Sequence, residues 1–125
     1  MLIDQKKFDL RLYLLIKSYD PIEAYLCEEG IARLCTDNYR QPNAANMKNM
    51  FMHLTNFSLN KNSENYQNPD ANFQENNEGS KRLLSALWLT LEEQGYDVDL
   101  VKERIADTCK KAVVTMEPYL IHQYH

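Results

Sequence analysis

From Lys7 to Lys17 apolar and polar residues alternate. Phe8, Leu10, Leu12, Leu14 and Ile16 fall on one face, and Lys7, Asp9, Arg11, Tyr13, Leu15 and Lys17 on the other. A period of two is that of a strand, so this stretch is expected as a strand with one dry face and one polar face. Ser18-Tyr19-Asp20-Pro21 carries turn chemistry, and Ile22 to Cys27 resumes an extended pattern. Glu29-Gly30 is read as closing a hairpin, with glycine accepting the positive φ that such turns need and Ile31 to Cys35 as the return strand. Periodicity then lapses. Residues 37–79 are rich in Asn, with Pro42 and Pro69 as breakers. So long a stretch without an element is unusual in a compact domain, and it is expected to be a functional loop followed by a disordered insertion over residues 62–78.

Beyond that insertion the period becomes helical. Ser80 is expected to cap a helix reaching Gln94, with Leu83, Leu84, Leu87, Trp88 and Leu91 on one stripe and Gly95 as terminator. Asp97 or Asp99 opens a second helix, whose inner face would be Val101, Ile105, Cys109, Ala112 or Val113, and Met116. Pro118 is expected to kink or end it, because proline lacks the amide donor and crowds the preceding turn. The chain therefore reads as α+β, with antiparallel strands in the N-terminal third, a long Asn-rich loop and two C-terminal helices.

Composition narrows the functions open to such a domain. A chain of 125 residues, 44% hydrophobic, can build one modest core. A formal charge of -4 argues against nucleic acid as partner, since a phosphate backbone is gripped by a basic face. The charge is uneven, however: residues 1–61 hold 8 Lys/Arg against 7 Asp/Glu, and residues 62–125 hold 6 against 11. An anionic ligand is better sought in the first half. Cys27, Cys35 and Cys109 cannot all pair with one another and have no close metal-ligand spacing, which is read as reduced, buried thiols in a cytosolic protein. No stretch approaches the length of a membrane span, and Met1-Leu2-Ile3 runs straight into Asp4-Gln5-Lys6-Lys7 without a leader-like apolar core.

Three polar patches carry candidate chemistry. Strand alternation puts Lys7, Asp9 and Arg11 on one side. Lysine can place a point charge on a phosphate, arginine can fork two donors onto it, and aspartate can accept from a ribose or hold a neighbouring cation. A solvent-facing strand with cross-strand ion pairs accounts for the same spacing. Arg33, set among Ile31, Ala32, Leu34 and Cys35, needs a partner, which could be Glu28, Asp9 or a phosphate. His53, Thr55 and Asn56 pack an imidazole, a hydroxyl and a carboxamide into four positions, suited either to a sugar ring or to turn and cap hydrogen bonds. His122 and His125 lack carboxylate or cysteine company, so no metal ligand is assigned. Neither a P-loop nor a dinucleotide glycine pattern is present.

Four blocks in order resemble the tubulin tyrosine ligase-like family: Lys7-Phe8-Asp9-Leu10-Arg11-Leu12-Tyr13, Tyr25-Leu26-Cys27-Glu28-Glu29-Gly30-Ile31-Ala32-Arg33, His53-Leu54-Thr55-Asn56-Phe57-Ser58-Leu59-Asn60-Lys61 and Gly79-Ser80-Lys81-Arg82. The resemblance covers nearly the whole chain. It implies part of an ATP-grasp ligase domain that uses ATP to form an acyl-phosphate on a tubulin carboxylate and then joins an amino acid to it. It further implies that Lys7 and Asp9 contact ATP, that His53, Thr55 and Asn56 line the nucleotide side, and that Arg11 and Arg33 act on the transferred phosphate. Magnesium ligands and the lobe that closes over ATP are expected outside residues 1–125, so the isolated chain is expected to be inactive. Asn60-Lys61, Ser63-Glu64-Asn65-Tyr66 and Gly79-Ser80-Lys81-Arg82 look most like the glutamate-adding members, the tubulin polyglutamylases. A glycine- or tyrosine-adding ligase and a catalytically dead microtubule-binding relative are the alternatives. The implied partners are tubulin or microtubules and free glutamate, in the cytoplasm, the cytoskeleton and the cilium or basal body. Contact with an acidic tubulin tail is expected from Lys6, Lys17, Arg40 or Lys48.

Overall fold

The computed structural model describes residues 1–68 and 79–124, the side chain of Tyr124 excepted. Among the described residues five strands and four helices follow in the order β1 (Phe8–Arg11), β2 (Leu14–Tyr19), β3 (Ile22–Leu26), β4 (Ile31–Leu34), α1 (Met50–His53), α2 (Phe57–Asn60), β5 (Lys81–Leu83), α3 (Leu84–Glu93) and α4 (Val98–Tyr124). The strands make two sheets. One is antiparallel with the order β1-β4-β5, and the other is the β2-β3 hairpin.

The alternation from Lys7 to Lys17 is therefore two strands and not one. β1 pairs with β4, Asp9 opposite Arg33, while β2 pairs with β3, Leu15 opposite Tyr25. Pattern alone cannot show this break, because the side-chain period carries over the junction at Leu12 and Tyr13. The tight hairpin turn lies at Asp20-Pro21, whose peptide bond is cis. Glu29-Gly30 does not fold β4 back onto β3, since β4 pairs instead with β1 and β5. Nor does Gly30 adopt a positive φ, which among the glycines is found at Gly79 and Gly95. Its lack of a side chain serves a close approach: a Cβ there would sit 2.6 Å from the carbonyl oxygen of Arg11.

The β1-β4-β5 sheet has a dry face. Ala32 and Leu34 of β4 are buried against Leu84, Leu87, Trp88 and Leu91 of α3, Val98 of α4 and Ile3, with Phe8, Leu10, Leu12, Val101 and Ile105 packed around them. Burying each large aliphatic side chain stabilises the fold by about 1.5–3 kcal/mol. α3 starts three residues later than the sequence pattern suggests, because Lys81 to Leu83 pair with β4. Ser80 is consequently no helix cap. It is buried, and its hydroxyl accepts from the amide of Gln67 at 3.3 Å. Glu29 takes the capping role from outside the helix, accepting from the Ser85 amide at 3.1 Å and the Ser85 hydroxyl at 2.8 Å. At the other end Gly95, with φ +83°, closes a Schellman motif: its amide donates to Glu92 and that of Tyr96 to Leu91.

α4 opens on Asp97, whose carboxylate accepts from the Leu100 amide at 3.0 Å, and runs through Pro118 to Tyr124. Pro118 does not end it. On its inner face Val98 and Val113 are buried, whereas Ala112 is exposed and Met116 is 48% exposed, so the expected stripe reaches the core only in part. The β2-β3 hairpin rests against α4. No helix among the described residues is long and apolar enough to cross a membrane.

The Asn-rich segment holds two one-turn helices fastened by asparagine side chains. Asn49 caps α1, accepting from the Phe51 amide at 3.1 Å, and its own amide donates to Asp37 at 2.8 Å. Asn60 is 1% exposed and uses both ends of its carboxamide. Its oxygen accepts from the Thr36 amide and hydroxyl, while its nitrogen donates to the carbonyls of Leu54 and Asn56. Of the insertion expected over 62–78, residues 69–78 lie outside the described residues. Within 62–68, Asn65 donates to Asp37, and Tyr66 packs on Phe57 with ring centroids 5.8 Å apart.

Candidate active site

Opposite the dry face, the same sheet carries charge. Cross-strand register puts Asp9 on β1 beside Arg33 on β4, and Arg33 beside Lys81 on β5. The Arg33 guanidinium forks onto the Asp9 carboxylate, with Nε donating to Oδ1 at 2.9 Å and Nη2 to Oδ2 at 2.6 Å. Burial pushes the Asp9 carboxyl up. The hydrogen bonds from Arg33 and Thr55, with the charges of Arg33 and Lys7, outweigh it and hold the carboxyl below the usual carboxylate range. The hydrogen bond from Arg33 to Asp9 raises the guanidinium further, against the effect of burial. Lys7 donates from Nζ to the backbone carbonyl of His53 at 2.9 Å. Lys7, Asp9, Arg33 and Thr55 thus form one cluster, tied by His53 and Thr55 to the loop between α1 and α2.

The remaining expected site residues stand apart from this cluster. Arg11 lies two residues along β1 on the same face, exposed, with its guanidinium 5.8 Å from the centre of the Tyr13 ring. The His53 ring contacts the Asn46 carbonyl at 3.2 Å, so it is His53's main chain that reaches the cluster. Asn56 is exposed at the start of α2, and its side chain makes no capping hydrogen bond. Of the two partners open to Arg33 within the chain, Asp9 is the one it has. Glu28 is exposed, and Glu29 is the acid committed to α3.

Two residues belong to this face that pattern reading passes over. Lys81 is half-buried, with Nζ 3.6 Å from the centre of the Phe57 ring, and it lines one small crevice with Arg33, Thr55 and Phe57. Reading Ser80 as a helix cap hides it, because only the pairing of β5 with β4 sets Lys81 beside Arg33. Asn60 touches no exposed surface, yet it anchors the Leu54 and Asn56 carbonyls that flank Thr55. Its four hydrogen bonds could not be read from its place in the sequence.

A larger polar cleft of about 720 Å³ lies off this face, lined by Lys6, Thr36, Asp37, Arg40, Asn65 and Tyr66 among others. Two of the four cations expected to meet an acidic tail, Lys6 and Arg40, are in it. Lys17 instead pairs with Glu23 at 2.9 Å. The thiols are free, as expected, though Cys27 is exposed and only Cys35 is fully buried.

The sequence profile of the tubulin-tyrosine ligase family matches residues 1–124. The chain belongs to that family. Among its curated relatives, mouse "Tubulin polyglutamylase TTLL11" is 41% identical over 120 residues, 96% of this chain and 16% of the relative. Zebrafish "Tubulin polyglutamylase ttll6" is 37% identical over 123 residues, 98% of this chain and 15% of the relative. The "Probable beta-tubulin polyglutamylase" of Tetrahymena thermophila is 39% identical over 127 residues, 98% of this chain and 10% of the relative. The chain therefore spans about one sixth or less of the length of these proteins. In this member of the tubulin-tyrosine ligase family, the charged sheet face fits an anion: Lys7, Arg33 and Lys81 share it with Asp9 as its acid. It does not fit magnesium, because Asp9 is engaged by Arg33 and no group of three or more His, Cys, Asp or Glu that could hold a metal occurs among the described residues.

Proposed function

We propose that this chain is the phosphate-handling part of an ATP-dependent ligase that adds glutamate to tubulin carboxylates, a tubulin polyglutamylase. The observation that carries the reading is the Lys7-Asp9-Arg33-Thr55 cluster on one face of a sheet whose other face is core. The names of the relatives, all polyglutamylases, favour glutamate over glycine or tyrosine.

ATP supplies a phosphoryl group that activates a carboxylate as an acyl-phosphate, after which an amine attacks the acyl carbon and phosphate leaves. Phosphoryl transfer depends on positioning and on neutralising charge spread over the transferred oxygens, which is the work proposed for Arg33 and Lys7. Asp9 accepts from Nε and from one N–H of Nη2, which fixes the guanidinium plane, while Nη1, with no acceptor among the described residues, would meet a phosphate oxygen. Arg11, further along the strand, is placed to meet the same anion once a ligand draws it from Tyr13. The protein would act in the cytoplasm on the microtubule cytoskeleton, including that of cilia.

The test is ATP-dependent incorporation of labelled glutamate, glycine or tyrosine into tubulin by the polypeptide that carries this chain. Glutamate incorporation is expected. Glycine or tyrosine incorporation would replace the proposed donor, and no incorporation with any of the three would leave the dead-relative reading.

A further inference from the structure

On the charged face, besides the exposed Arg11 that rests on Tyr13, three cations sit across three adjacent strands or their ends, and they have unequal partners. Lys7 is tied to the His53 carbonyl, and Arg33 is tied to both oxygens of Asp9. Lys81, half-buried on β5, has no carboxylate within ion-pair distance among the described residues. Its ammonium rests instead on the Phe57 ring at 3.6 Å, and Lys61 approaches that ring at 5.9 Å. An aromatic face offsets part of the cost of drying an ammonium, and the N–H donors that point away from the ring have no hydrogen-bond acceptor among the described residues. Phe57 is itself steadied by Tyr66. The arrangement holds a positive charge ready in a chain of net charge -4.

Position narrows the ligand. Neighbouring strands are about 4.8 Å apart, so Lys81 lies one strand beyond Arg33 and two beyond Asp9. A phosphate held at Lys7 and Arg33 leaves Lys81 to meet a second anion on the far side of Arg33. In a ligase that joins an amino acid to an acyl-phosphate, the group that must lie next to the phosphate and carry its own negative charge is the incoming amino acid. Lysine, a compact point charge on a flexible stem, suits a single carboxylate there better than a planar fork would. Resting on the ligase reading above, we infer that Lys81, held over Phe57 beside Arg33, is the anchor for a carboxylate of the amino acid substrate.

Two measurements test this. In the polypeptide that carries this chain, Lys81→Met should raise KM for glutamate by about ten-fold or more, the loss of one charge-assisted hydrogen bond, with KM for ATP changed less than about two-fold. Lys81→Arg should restore much of the loss. A rise in KM for ATP in place of glutamate, or no change in either, overturns the inference. The second measurement needs no turnover: lysine ammonium NMR signals of this chain are followed during separate titrations with L-glutamate and ATP at constant ionic strength. Glutamate is expected to move the Lys81 signal, glycine at equal concentration to move it through its α-carboxylate alone, and ATP to move Lys7. If ATP moves Lys7 while glutamate leaves Lys81 unmoved, the anchor fails and the ligase reading stands. If glutamate moves Lys81 but the polypeptide incorporates no amino acid, the ligase reading fails and the carboxylate site stands.

Discussion

Two arginine–aspartate pairs sit on opposite faces of the β1-β4-β5 sheet and do different work. Arg82 is on the dry face, opposite Ala32, with its side chain 6% exposed. It donates to the Gly79 carbonyl at 3.2 Å and pairs with Asp4, which is 57% exposed. Arg33 is on the charged face, 27% exposed, and grips an Asp9 that is 39% exposed. The first arginine is closed in by protein and ties the N-terminal turn to β5. The second keeps an open edge among lysines. A shared pairing chemistry therefore says little about role, and the deciding facts are which face the residue occupies and which of its N–H groups still reach solvent.

Substitutions should pull the two pairs apart. The largest effect is expected from Arg33→Ala in the polypeptide that carries this chain: turnover falls by about 100-fold or more, as for loss of a donor aimed at transition-state charge, while KM for ATP moves little. Steady-state incorporation assays check it, and unchanged turnover would remove Arg33 from the chemistry. Arg82→Ala should do the reverse. It removes a buried side chain and strips the Gly79 carbonyl of its donor, at about 2–3 kcal/mol of stability measured by urea unfolding of this chain. Were Arg33→Ala the more destabilising of the two, the comparison would be broken.

Smaller effects sharpen the same contrast. Asn60→Ala leaves the Thr36 amide without its acceptor and the Leu54 carbonyl without its donor, at about 1–3 kcal/mol by the same measurement. It should also loosen the loop bearing Thr55, seen as faster amide exchange at residues 54–57. Glu29→Ala removes the cap of α3 and should cost about 1 kcal/mol, with faster exchange confined to the first turn of that helix. Smallest is the acid response of Asp9. Its carboxyl is held below its ordinary value in the fold, so its contribution is present above about pH 4 and is lost as pH falls through the depressed folded value. For so exposed a group the effect is under about 1 kcal/mol. Asp9→Asn should be slightly less stable than the parent at pH 6, and the gap should shrink toward pH 3. A gap that widens with acid would reverse the assignment.

Part of this charged cluster is legible in the sequence, and part is not. Lys7, Asp9 and Arg33 were recognisable because strand alternation puts two of them on one side and an arginine among apolar neighbours demands a partner. Arg11, His53 and Asn56 carry the same kinds of groups, yet Arg11 and Asn56 are exposed and His53 contributes its carbonyl rather than its ring. Periodicity does not put Lys81 on this face, because Ser80 and the leucines after it resemble a helix start. Three residues are too few for a strand period to compete with a longer helical one.

Local rules acting over a few residues determined the α+β class, the stripe of α3, the Gly95 stop and the turn at Asp20-Pro21, since each follows from side-chain period or backbone freedom. What sequence alone could not decide was pairing. That β1 leaves its neighbour β2 to join β4, that β5 exists at all and that Glu29 caps a helix 56 residues away depend on contacts between segments distant in the chain. A pattern of apolar and polar residues records which face of each strand is dry, but not which strand lies beside it. Only the sheet order β1-β4-β5 places Asp9, Arg33 and Lys81 in one row.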